Sequence, residues 1–118
     1  MSSHRRLVVW QEAMKLVEMI YRHSARFPKE ELFALVTQLR KAAISVPSNL
    51  AEGTARNSSK ELLQFVGIAS GSLAEVETQL KLAVRLGYLN ADTECTHQVS
   101  FVGRLLVGLR NSLRRKRT

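Results

Sequence analysis

Apolar residues recur every three or four positions along almost the whole chain and β-branched alternation is scarce, so the sequence is written for amphipathic helices rather than strands. Trp10, Met14, Val17, Tyr21 and Ser24 make a first stripe, widened by Ala13 and Ile20, and predict a helix near residues 8–26. Phe27-Pro28 ends it, because the residue before a proline is pushed out of the α region. Pro28 opens a second helix over 29–55, with Glu30 and Glu31 at the positive end of its dipole and Leu32, Leu35, Val36, Leu39, Ala43, Val46 and Leu50 along its stripe. Pro47 removes one backbone hydrogen bond, at about 3 kcal/mol, yet the stripe keeps phase across it, which predicts a kink rather than a break. Ser58 with Glu61 is a capping-box signature for a third helix over 59–86, where Leu62, Val66, Ala69, Leu73, Val76, Leu80 and Ala83 alternate by four and three. Gly87 follows as its C′ residue, and Asp92 caps a fourth helix near 92–114 carrying Cys95, Val99, Val102, Leu106, Leu109 and Leu113. Short connections favour antiparallel neighbours. The expected fold is all-α, an antiparallel up-down-up-down four-helix bundle, as one domain over 1–118 with a basic C-terminal tail at about 110–118.

Charge is distributed unevenly. The formal net charge is +8, and the residues after Glu94 contribute +6 of it, since Arg104, Arg110, Arg114, Arg115, Lys116 and Arg117 are followed or interrupted by no acid. Arg5 and Arg6 form a smaller cluster at the other terminus. A concentrated positive field attracts polyanions, so these eight residues are the candidate contacts to RNA or DNA. No aromatic cluster accompanies them, which predicts sequence-tolerant binding. No apolar stretch approaches the ~18 residues that would span a bilayer, and no membrane insertion is expected. The single cysteine allows no intramolecular disulfide and suits a reducing, cytoplasmic setting.

Small residues crowd the third helix at Gly67, Ala69, Ser70, Gly71, Ser72 and Ala74, and the second at Ala42, Ala43, Ser45 and Ser48, which predicts a close crossing of these two backbones. Many apolar residues lie off the main stripes, among them Val9, Leu16, Phe33, Ile44, Ile68, Leu82, Phe101 and Val107. A monomeric bundle keeps its outer faces mostly polar, so this excess predicts a homo-oligomer. Ser45, Asn49, Glu52 and Arg56 recur at helical spacing, as do Glu75 and Gln79 one turn apart. They read either as a solvated face or as a hydrogen-bonded network at a helix or subunit interface.

Catalytic patterns are missing. His4, His23 and His97 stand at no i,i+4 spacing, there is no Cys-x-x-Cys, and Gly103 and Gly108 lead into Leu109-Arg110 rather than the Lys-Ser/Thr of a phosphate loop. Cys95 falls on an apolar stripe, and Glu75 and Glu77, two apart on a helix, face different sides. No catalytic residue, cofactor or metal is expected, and an enzyme would need Asn49, Glu52, Arg56 and Glu75 to converge between subunits.

Several segments carry a family resemblance: Val9-Trp10-Gln11 with Ala13, Phe27-Pro28-Lys29-Glu30 and Gln38-Leu39-Arg40-Lys41-Ala42-Ala43. The most specific are Ser45-Val46-Pro47-Ser48-Asn49-Leu50-Ala51-Glu52-Gly53 and the run from Ala69 to Leu80. Over about the first three-quarters of its length the chain resembles the four-helix-bundle 23S rRNA-intervening-sequence proteins of bacteria. That resemblance implies a ring-shaped homopentamer with no known enzymatic activity. Accessory proteins of diversity-generating retroelements look like relatives in fold; they are basic pentamers that bind nucleic acid and a reverse transcriptase. Their signatures are not evident in this sequence, so that role transfers only as an analogy of shape and charge. The off-stripe apolar residues motivate an alternative, a protein-interaction scaffold for an acidic or nucleic-acid-modifying partner.

Overall fold

A computed structural model describes residues 3–117, with only the backbone of Arg117. Among the described residues there are four α-helices and no strand: α1 (Val8–Ser24), α2 (Thr37–Thr54), α3 (Ser59–Arg85) and α4 (Glu94–Arg117). Each packs on the next in sequence and α4 closes against α1, giving a rod of 48 × 23 × 19 Å. Connectivity therefore places the α1–α2 and α3–α4 loops at one end, and the α2–α3 loop with both ends of the chain at the other.

The helix ends follow local chemistry. The Ser58 hydroxyl accepts the Glu61 N–H at 3.1 Å and caps α3 as expected. Gly87, at φ +82°, terminates α3, its N–H reaching the Val84 carbonyl at 3.0 Å while that of Tyr88 reaches Ala83 at 2.9 Å. The fourth helix starts differently. Thr93 and Thr96 cap it reciprocally, each hydroxyl accepting the other's backbone N–H, whereas the Asp92 carboxylate meets the His97 ring. Its far end runs on to Arg117, past the expected end near 114, so the basic segment at the C-terminus is helical.

The single helix expected over 29–55 is split into a 3₁₀ turn (Lys29–Glu31), a π-helical turn (Leu32–Val36) and α2. Side chains cause the split. Glu31 accepts the Leu35 N–H at 3.5 Å, and the Thr37 hydroxyl donates to the Leu32 carbonyl at 2.6 Å, so both compete with the regular backbone ladder. Pro47 lies within α2 and is buried.

Two packing expectations need correction. The core face of α1 is Val9, Ala13, Leu16, Ile20 and Ser24, whereas Met14 and Tyr21 are 42% and 40% exposed. The helix carries two adjacent apolar stripes, and period alone does not choose between them. The outer stripe, Trp10, Met14 and Val17, instead lines a groove of about 310 Å3 with Ile44, Pro47 and Ala51 of α2. Gly67 and Gly71 do not mediate the α2–α3 crossing, since a Cβ at either would meet nothing within 4 Å. The crossing is made by Ser45 and Ser72, whose hydroxyls are 2.7 Å apart, and by Gly53, where a Cβ would come within 2.7 Å of the Phe65 Cβ.

Candidate nucleic-acid interface

The two basic segments, more than a hundred residues apart in sequence, reach the same end of the rod. Arg5 and Arg6 sit in a 3₁₀ turn (His4–Arg6) that Ser3 caps through the Arg5 N–H, and that turn packs on α1 and α2. Its flanking residues Ser3 and Leu7 line one cleft of about 350 Å3 together with Gly53–Ser59 of the α2–α3 connection and Leu109, Leu113 and Lys116 of α4. Leu113 is buried, so the core itself anchors the last cationic turns. Arg114, Arg115 and Lys116 are exposed, and successive helical positions 100° apart fan them around α4.

The remaining candidate cations are placed differently. Arg110 is half-buried, lines the α3–α4 cleft with Ser70, Ala74 and Glu77, and its buried Nε has no hydrogen-bond partner among the described residues. Arg104 lies mid-helix with its guanidinium 5.8 Å from the centre of the Phe101 ring. The side chain of Arg117 lies outside the described residues.

Three further polar residues stand at this end: Asn57 and Lys60, which the sequence did not single out, and Arg56, which it placed in the polar network rather than among the basic contacts. They belong to the α2–α3 connection and the first turn of α3. The up-down-up-down order contains the signal, because it puts that connection beside both ends of the chain. The Arg56 guanidinium pairs with Glu52 at 3.1 Å and lies 5.1 Å from the Phe65 ring centre, which brings an aromatic residue to this end after all.

The expected polar network divides into two parts. Ser45 and Asn49 join the α2–α3 crossing, the Asn49 amide donating to the Ser45 carbonyl at 2.8 Å and hydroxyl at 2.9 Å. Glu52 and Arg56 form an i,i+4 surface pair, Glu75 is exposed, and the Gln79 Oε1 is buried without a partner. Cys95 is in the core, and burial pushes its thiol up to about 11, the opposite of an activated nucleophile.

The opposite end of the rod is clasped by polar contacts. Glu94 receives Arg22 at 3.1 Å and His23 at 2.9 Å, and the Tyr88 hydroxyl donates to Glu31 at 2.9 Å. The His23 hydrogen bond, then that of Arg22, holds the Glu94 carboxyl below its ordinary value of 4.5. Along the rod, the Gln98 amide donates to Glu12 at 2.9 Å and, with Lys15, lowers that carboxyl too.

No helix among the described residues is long and apolar enough to cross a membrane. The fold is similar to a crystal structure from Bacteroides thetaiotaomicron, described as a protein with unknown function from the S23 ribosomal protein family. The TM-score is 0.65 at 18% identity, over 90% of this chain and 94% of that one. No curated protein sequence matches the chain. The family model of the 23S rRNA-intervening sequence protein matches residues 5–108, which reaches into α4 and leaves out its last cationic turns. The chain belongs to the 23S rRNA-intervening sequence protein family.

Proposed function

We propose that this protein is a non-enzymatic, cytoplasmic binder of RNA or DNA that works as a homo-oligomer, the pentamer that the family resemblance implies. The observation that carries the reading is the convergence of Arg5, Arg6, Arg56, Lys60, Arg114, Arg115 and Lys116 on one end of the rod. Glu52 and Glu61 are the acids in the adjoining helix turns. Phosphate attraction needs density of cations rather than a particular motif, and repeating the end in several copies adds avidity. The outer apolar stripe of α1 with Ile44 supports self-association, since such surface favours a partner.

The test is binding of RNA and DNA duplexes at low salt by the full chain and by a variant with Arg114, Arg115, Lys116 and Arg117 replaced by alanine, with the mass of each followed by light scattering. Substitution is preferable to truncation after Leu109, which would remove the core residue Leu113. The proposal expects weaker binding by the variant at unchanged mass; equal affinity would contradict it.

A second reading, an acidic or nucleic-acid-modifying protein as partner, draws support from the α3–α4 face. There two adjoining clefts of about 360 and 270 Å3 share Glu77, Val99 and Ser100, with Lys81, Arg85 and Arg110 around an apolar floor. Recovery of one defined protein after nuclease treatment would favour it, and loss of every partner on that treatment would favour nucleic acid.

A further inference from the structure

We propose that the cleft at the basic end seats one unpaired nucleotide, its base on a leucine floor and its phosphate between Arg56 and Lys116. The inference rests on the nucleic-acid reading above and narrows it to strands that present an unstacked base. The cleft, of about 350 Å3, falls within the range of ~300–1,000 Å3 that small-molecule sites occupy. Leu7, Leu62, Leu109 and Leu113 line it from the N-terminal segment, α3 and α4. An aliphatic surface of this kind removes the face of a base from water without selecting its identity.

Polar groups around that floor match the rest of a nucleotide. The Asn57 amide and the Ser59 hydroxyl line the cleft, and neither makes a side-chain hydrogen bond among the described residues. Each can donate and accept, as the edges of unpaired bases require. Lys116 makes no ion pair among the described residues, and the guanidinium of Arg56, held over Phe65 and paired with Glu52 through one nitrogen, keeps 44% of its side chain exposed and further N–H donors for a phosphate. A duplex keeps its base edges paired and its faces stacked, so it could place phosphates on the surrounding arginines but no base in the cleft.

The test uses the full chain and two RNA probes with equal numbers of phosphates, a hairpin with an unpaired loop and a fully paired duplex, each also made as DNA. Wild type should prefer the hairpin by about three- to tenfold, the worth of one or two hydrogen bonds. Asn57→Ala removes one of the two edge contacts and should reduce the preference by about twofold or more, and Ser59→Leu, which removes the other and fills the cleft with an aliphatic group, should abolish it, while duplex affinity stays. Circular dichroism reports folding, and if the leucine variant unfolds, Asn57→Ala alone decides. The same preference is expected with the DNA probes, because base and phosphate carry the contact, and a preference confined to RNA overturns that assignment. Equal affinity of wild type for hairpin and duplex, or a preference undiminished by Asn57→Ala, overturns the inference while leaving the nucleic-acid reading standing. Failure to bind either probe overturns the reading itself.

Discussion

The two ends of this rod hold charge in opposite ways. At the end formed by the α1–α2 and α3–α4 loops, acids and bases face one another: Arg22 and His23 on Glu94, Tyr88 on Glu31, Asp92 on His97. At the other end Arg56 and Lys116 line a cleft, and the exposed Arg5, Arg6, Lys60 and Arg114 lie on the adjoining turns, with Glu52 and Glu61 the acids there. Like charges close together oppose compaction, so their collection on one surface serves the encounter with a partner more readily than the fold. The first end fastens helices together; the second concentrates cations, and the proposed nucleic-acid binding rests on that concentration.

The largest expected effect separates these ends directly. Replacing Arg5, Arg6, Arg114 and Lys116 with alanine should weaken duplex binding by on the order of 10²- to 10³-fold at low salt, with thermal stability nearly unchanged. The control at the other end, Arg22→Ala with Arg85→Ala, removes half as many charges and should leave affinity within about twofold, and Arg22→Ala should slightly lower stability by loosening the Glu94 contact. Comparable losses in both variants would mean that overall charge, not its placement, attracts the polyanion.

Packing beside the basic end is also asymmetric between glycines. Gly53→Ala forces a Cβ to within 2.7 Å of Phe65 and 2.9 Å of Leu62 Cδ1, and should destabilise by about 1–3 kcal/mol in urea unfolding. Gly71→Ala meets nothing within 4 Å and should stabilise a protomer by about 0.5–1 kcal/mol through helix propensity. Destabilisation by the second substitution, with loss of mass in light scattering, would show that this open face is covered by another copy.

The smallest effect belongs to the clasped end and tests it by pH. The Glu94 carboxyl lies below its ordinary value in the folded chain, as does Glu12 along the rod. The native state therefore binds fewer protons than the unfolded chain near and below 4.5. Their contribution is complete above that pH and fades as pH falls through the lowered values. Melting temperature should drop on acidification from pH 5 to about 3, and Glu94→Gln should shallow that drop.

Much of the architecture was legible in the pattern of apolar residues. The α3 stripe, its Ser58 cap and its Gly87 stop are all local signals, and each appears as read. The failures came where two local signals compete. On α1 two stripes are side by side, and packing against α2 and α4 chose Val9 and Leu16 over Met14 and Tyr21. Asp92 and Thr93 are both good capping residues, and Thr96, three positions after Thr93, decides for the threonine. Gly67 and Gly71 suggested close approach, a property of neighbours that no helix reports about itself. The candidate interface was half legible: both basic clusters stood out, but Arg56 and Asn57 join them only once the topology is folded up.

The central claim is that phosphates bind at the cationic end, and the salt dependence of binding tests it most directly. Log affinity for a duplex should fall linearly with log salt, with a slope of about −0.9 for each phosphate neutralised. Alanine at Arg5, Arg6, Arg114 and Lys116 should shrink that slope by about 2–4, while Arg22→Ala with Arg85→Ala leaves it in place. A slope indifferent to the cationic end, or no measurable binding by the full chain at low salt, would contradict the account.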